Sequence, residues 1–182
     1  MVDSATLSRR RKLRFYGWGY ADDLLSAEEE ARVRGSAQRF GASAPEEVSA
    51  PRESDFDLRP PRVSAQASLS HLMSVTPYDR LTHSLGKSFA DIVRMFMRDV
   101  RHPPDLVAFP KSEQDVASIL DWASRANVAA IPFGGGSSVA GGVEPDVGGG
   151  IGPLHQNENG VGDTRRVVVR ILLPWPDDFE RK

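Results

Sequence analysis

The chain has 182 residues, a formal charge of −2, 40% hydrophobic residues and no cysteine. That length suits one ordinary domain; the charge gives no electrostatic case for nucleic acid, and the missing thiols exclude disulfides, thiolate metal sites and thiol nucleophiles. The four histidines (His71, His83, His102 and His155) never fall four apart, and no apolar run nears the roughly 18 residues of a spanning helix, so neither a zinc site nor a transmembrane segment is expected.

Arg9, Arg10, Arg11, Lys12 and Arg14 form a basic cluster with no apolar region behind it, which reads as a solvated arm rather than an export signal. Ser26 and Glu29 fit a capping box, and residues 27–40 read as a charged surface helix closed by Gly41. Residues 43–66 contain Pro45, Pro51, Pro60 and Pro61 and read as a linker. A short helix is expected between Gln66 and Leu81, ending before Pro77. Phe89, Ile92, Val93, Phe96 and Met97 make one apolar stripe on a helix over residues 88–99, stopped by Pro103 and Pro104. Residues 105–109 read as a buried strand. Ser112 and Asp115 cap a helix whose stripe is Val116, Ile119, Leu120 and Ala123, and Asn127 ends it. Residues 128–133 are a second strand, so a βαβ unit with parallel strands is expected.

Glycine is unevenly spread: 11 of 16 fall between Gly134 and Gly162. The second strand runs into Gly134, Gly135 and Gly136, then Ser137 and Ser138, with Gly141 and Gly142 beyond. Glycines there let backbone N–H groups approach an anion without side-chain interference, and the serines add hydroxyls. No Lys or Arg lies between Pro132 and Glu144, so amides and hydroxyls would do the holding. A side chain at Gly135 is expected to block the turn, and a carboxylate there to repel a pyrophosphate. A Rossmann fingerprint fails because its third glycine position is Val139 and no helix follows. Gly86-Lys87-Ser88 fails as a P-loop, since its first glycine would be Leu81, and reads as an ordinary helix start.

The stretch from Pro132 to Val143 resembles the pyrophosphate loop of FAD-linked oxidases of the vanillyl-alcohol oxidase and p-cresol methylhydroxylase type. Residues Pro104 to Val116 resemble that family's opening strand and helix, P-D-x-V-x-x-P-x-x-x-x-D-V. Trp18-Gly19-Tyr20 with Asp22, and Arg80, His83, Ser84, Gly86, Asp91 and Ile92, resemble its alkyldihydroxyacetonephosphate (alkylglycerone-phosphate) synthase branch. The resemblance covers roughly residues 13–146.

It implies an α+β fold, the N-terminal part of an FAD-binding domain of this type, preceded by a helical and irregular region. The divisions are 1–65 (arm, surface helix and linker), 66–100 (helical lead-in), 101–146 (partial FAD-binding subdomain) and 147–182 (a tail without family resemblance). It also implies FAD as cofactor, with Pro132 and Phe133 ending the strand, amides of Gly134, Gly135 and Gly136 on the pyrophosphate, and hydroxyls from Ser137 and Ser138, where many relatives have Thr-Ser or Thr-Asn. Enzymes of the branch use the flavin to exchange a fatty alcohol for an acyl group without net redox change. The expected location is cytoplasmic or peripheral to a membrane.

Two readings of the tail stand: a divergent ending in which residues 167–173 add a strand, or a reading frame lost near Val147. The abrupt loss of resemblance favours the second, in which the chain alone is inactive and any missing C-terminal part is encoded separately. His83, His102 and His155 read as surface or capping residues, and Asp105 and Asp115 as turn and cap residues. Other functions left open are part of a flavin dehydrogenase for a 2-hydroxy acid, and a non-enzymatic interaction module.

Overall fold

A computed structural model of the chain describes residues 12–39, 48–145 and 166–170, except for the side chains of residues 38, 166 and 170. Helix α1, Ala27–Arg39, starts at a reciprocal cap. Ser26 N donates to Glu29 Oε2 at 2.8 Å, and Glu29 N donates to Ser26 Oγ at 3.3 Å. Its first turn holds Glu28, Glu29 and Glu30, which favours the positive end of the helix dipole. Gly41 lies outside the described residues.

The stretch read as a linker is partly packed. Phe56 and Leu58 lie against a core of Phe15, Leu81, Leu85 and Met95, so a segment without periodicity still contributes apolar anchors. Residues Ala67–Leu72 form a 3-10 helix and Met73–Ser74 the short strand β1. The 3-10 helix is the short helix expected to end before Pro77, and a further helix, α2, Pro77–Thr82, begins at that proline. Proline suits the first helical position because it has no N–H to satisfy, and Thr76 Oγ1 accepts from Asp79 N at 3.2 Å to complete the cap.

Helix α3, Phe89–Phe96, is shorter than expected, and its predicted face is only partly inward, with Ile92 and Phe96 half-buried and the Phe96 ring 5.7 Å from that of Tyr16. Ser88 caps it, with Asp91 N donating to Ser88 Oγ at 3.0 Å, and Arg98 at φ 59° follows its end. Asp91 and Met95 face inward, whereas Phe89 is 84% exposed, Val93 42% and Met97 70%. Periodicity located the helix, but the neighbours of Met95 in the core decided its rotation.

Strand β2, Leu106–Ala108, helix α4, Glu113–Arg125, and strand β3, Ala129–Phe133, follow the expected order. Asn127 closes α4 in the left-handed conformation, φ 51°. Strand β4, Arg166–Arg170, completes a four-stranded sheet of order β1-β2-β4-β3. β1 is antiparallel to β2, while β2 and β3 are each parallel to β4. The strands of the βαβ unit thus point the same way but are not neighbours, because β4 lies between them. The strand expected over residues 167–173 is present as Arg166–Arg170, and residues 171–173 lie outside the described residues.

Side chains alternate across the sheet. Leu106, Ala108, Val167 and Val169 face a core with Ile119, Trp122 and Ala123 of α4, while Ile131, Phe133 and Val168 form a cluster on the other side. Full burial of one valine is worth roughly 1.5–3 kcal/mol. Val167, Val168 and Val169, all at most 2% exposed, therefore make β4 integral to the sheet. Pro132 is tolerated because, among the described residues, β3 has only β4 beside it.

Asp105, read as a turn residue, does stand at a bend before β2, and it is also a fully buried anchor. Arg62 grips it bidentately, Nε to Oδ1 at 2.9 Å and Nη2 to Oδ2 at 2.7 Å, while Arg62 N reaches Oδ1 at 3.0 Å. Arg59 adds an ion pair at 4.0 Å. This carboxylate ties the end of the proline-rich stretch to the start of β2.

Candidate functional site

The glycine loop begins where β3 ends, and its glycines divide by what the fold asks of them. Phe133 is 4% exposed and holds the root of the loop in the core. Gly136 has φ 72°, and a Cβ there would lie 2.7 Å from the Phe133 ring, so the turn itself requires glycine. Gly134 and Gly135 are different. Both are exposed, neither has a positive φ, and a Cβ on either would meet nothing within 4 Å. The expectation that a side chain at Gly135 blocks the turn is therefore corrected: that constraint belongs to Gly136. Pro132 and Ser137 are exposed, and Ser138 is half-buried.

The far end of the loop rests on the start of α3. Lys87 N donates to the Ser138 carbonyl at 2.8 Å, and Gly86 packs against the same oxygen. Beside the loop, residues 12–21 form a tight hairpin. Leu13 bridges Tyr20, Arg14 N donates to Gly19 O at 3.0 Å, and Ala21 N donates to Lys12 O at 2.7 Å. Gly19, φ 83°, permits the turn, and Trp18 stands 56% exposed near its tip.

A cavity of about 190 Å³ lies between loop and hairpin, lined by Gly135, Gly136 and Phe133 from one side and Arg14, Gly17 and Trp18 from the other. Thr82 and Lys87 also line it. Lys87 Nζ donates to the carbonyls of Arg14 at 3.2 Å and Phe15 at 3.3 Å, which holds the hairpin in place. Burial lowers the Lys87 pKa below the usual lysine value, partly offset by Asp91. Arg14 Nη2 bonds the Asp23 carbonyl. Arg14 Nε and Thr82 Oγ1 are buried without a hydrogen-bond partner among the described residues.

Sequence reading found no cation in the loop and took Lys87 for an ordinary helix start. The tertiary structure brings both Arg14 and Lys87 to the loop's flank. The signal available was indirect: Trp18-Gly19 and the stretch from Arg80 to Ile92 carried the branch resemblance without showing that they meet.

His83, read as a surface or capping residue, is a capping one: it occupies the C-cap of α2 and is buried. Its ring lies 4.5 Å from that of Phe133 and 5.8 Å from that of Phe109, and Nδ1 is 2.6 Å from Asp79 O. It wedges beneath the loop root. Asp115 is the expected cap, accepting from Lys111 N at 2.9 Å, which holds its carboxyl below the ordinary aspartate range. His102 is half-buried, and His155 lies outside the described residues.

Residues 104–152 match the family described as FAD binding domain. Those residues are similar to part of an FAD-binding domain. The matched segment takes in β2, α4, β3 and Gly134 to Gly142. Over 128 residues the chain is 38% identical to an alkyldihydroxyacetonephosphate synthase of Trypanosoma brucei brucei, which covers 66% of this chain and 19% of that protein. It is 41% identical over 66 residues to the enzyme of that name from Dictyostelium discoideum, covering 36% of this chain and 11% of that protein. A solved alkyldihydroxyacetonephosphate synthase superposes on 86% of this chain and 32% of its own length, with TM-score 0.64 and 21% identity, a likeness of fold. The chain thus spans between about a tenth and a fifth of the length of these two curated relatives.

Proposed function

We propose that Pro132 to Ser138 cradle the pyrophosphate of FAD, and that the chain serves as an FAD-binding part of a flavoprotein of the alkylglycerone-phosphate synthase kind. The observation that carries this reading is the pair Gly134 and Gly135. Neither backbone conformation nor packing calls for glycine at these positions, so the missing side chains serve whatever approaches the loop from outside. Backbone amides in a glycine turn suit an anion, and the family match supports a dinucleotide as its bearer. FAD, once bound, brings the reactive chemistry, and the protein's share is to bind and orient it. The substrate exchange of the whole enzyme is proposed to require the additional length that the relatives possess.

The test is direct. The purified chain is expected to carry FAD that is released on denaturation, or to take it up when titrated. A folded chain that does neither overturns the reading. A second reading, an interaction module, is favoured by one observation: Phe89, Val93 and Met97 make an exposed apolar stripe on α3.

A further inference from the structure

Between its roots the glycine loop buries almost nothing of its own. Phe133 is fixed in the core at one end; at the other, Val143 packs against Ile131, Phe133 and Val168, and Pro145 is fully buried. Ser137 and Val139 to Gly142 are exposed, like Gly134 and Gly135. A segment this rich in glycine has little burial to hold its shape, so the shape must come from ties to a neighbour.

Among the described residues, two such ties come from α3 and the residues that open it. One is the bond from Lys87 N to the Ser138 carbonyl. The other is a side-chain fork: Arg94 Nη1 donates to Glu144 Oε2 at 2.8 Å, and Arg94 Nη2 donates to Glu144 Oε1 at 2.9 Å. Glu144 N in turn donates to Gly141 O at 3.1 Å, closing a turn that has Gly141 at φ 76°. The guanidinium is set from its other edge as well. Its Nε lies 3.7 Å from Asp99 Oδ2, and Arg101 holds that carboxylate with two bonds of 2.8 Å. A part-exposed ion pair adds little to overall stability, and the packing of Val143 and Pro145 would keep the path of the chain without it. What the fork adds is order in a limb of glycines. Order present before a ligand arrives is ordering that binding itself does not have to supply.

We propose that Arg94 is a positioning residue for the glycine loop: by gripping Glu144 it holds the limb from Val139 to Gly142 against α3, and so presets the turn at Gly134 to Gly136 for its ligand. It acts through Glu144 and not by contact with the ligand. Helix α3 is then the frame on which the shape of the loop is set. This inference rests on the reading of the loop as a cradle for FAD.

The experiment titrates FAD into the purified full chain by calorimetry, well below the melting temperature, and melts each ligand-free variant separately. Arg94→Met and Glu144→Ala are each expected to weaken FAD binding about five- to tenfold. Their melting temperatures should fall by no more than about 4 °C. The double variant should bind no more weakly than either single one, since the same fork is lost in all three. Arg94→Lys should restore part of the affinity, because lysine keeps the charge but not the fork. As a control, Arg125→Gln breaks an exposed ion pair with Asp121 on α4 and should leave affinity unchanged. Wild-type affinity in the folded Arg94 and Glu144 variants, alongside loss in Gly135→Asp, overturns the positioning role and leaves the loop reading standing. If Arg94→Met fails to fold, Glu144→Ala decides in its place; failure of both to fold makes the pair a stability element and overturns the proposal. Losses that add in the double variant also overturn it. Undiminished binding by Gly135→Asp overturns both readings.

Discussion

Gly86 lies directly against the Ser138 carbonyl, leaving no room for a side chain between the start of α3 and the end of the glycine loop. A Cβ on Gly86 would overlap that oxygen and also stand 3.0 Å from Asp91 Oδ2, part of the α3 cap. Cap and loop therefore move together. Gly86→Ala is expected to cost about 1–3 kcal/mol through overpacking and to weaken FAD binding by displacing the loop. Thermal melts and FAD titrations check this, and wild-type values in both would show that the contact constrains nothing.

The glycines of the loop should separate stability from binding. Gly136→Ala places a side chain at a positive φ against the Phe133 ring, and should destabilise by about 1–3 kcal/mol. Gly135→Ala meets open space, so stability should stay within about 0.5 kcal/mol of wild type while FAD affinity falls. Gly135→Asp should abolish retention by charge repulsion alone. Equal melting temperatures for the two alanine variants would contradict this division.

Asp105 joins two distant segments through its buried pairing with Arg62, so breaking that pair should be felt globally. Asp105→Ala leaves Arg62 without its bidentate partner, and a loss of about 3–5 kcal/mol is expected for a broken buried pair. Domains of this size carry only about 5–15 kcal/mol in all. Urea unfolding should show a much lower midpoint, and a shift no larger than that of a surface substitution would argue against the anchor.

Acid sensitivity should reside partly in the α4 cap. The Lys111 and Ser112 hydrogen bonds hold the Asp115 carboxyl below its unfolded value, so the native state binds this proton more weakly than the unfolded chain. The stability it contributes is present above the unfolded pKa, about 4, and is lost as pH falls through the lower folded value. Asp115→Asn should be less stable than wild type at neutral pH, with the gap closing in acid. A gap that stays constant from pH 7 to pH 2 counts against this account.

The exposed stripe on α3 makes a separate prediction. Phe89→Ser with Met97→Ser removes apolar surface that touches little, so stability should change by no more than about 0.5 kcal/mol per site. Self-association, read by sedimentation velocity, should fall. Marked destabilisation would mean that the stripe is packed after all.

Local chemistry was enough to locate much of this protein. The caps at Ser26, Ser88 and Ser112, the left-handed Asn127 and the strand running into Gly134 to Gly136 each act within a few residues, so each can be read along the chain. The same holds for the family resemblance, which rests on contiguous stretches. The helix that starts at Pro77 was not foreseen, because the Thr76 cap that opens it follows directly on the short helix and strand before it. Rotation of α3 was decided by Met95 entering a core with Phe15, some 80 residues earlier. The insertion of β4 between β2 and β3 joins residues 106–108 to 167–169, and Arg14 and Lys87 reach the glycine loop only when the hairpin folds onto α3. Hydrophobic periodicity reports that a face is apolar and glycine reports that a backbone is free. Neither reports what will stand opposite, because pairing across long separations depends on burial and register summed over the whole fold.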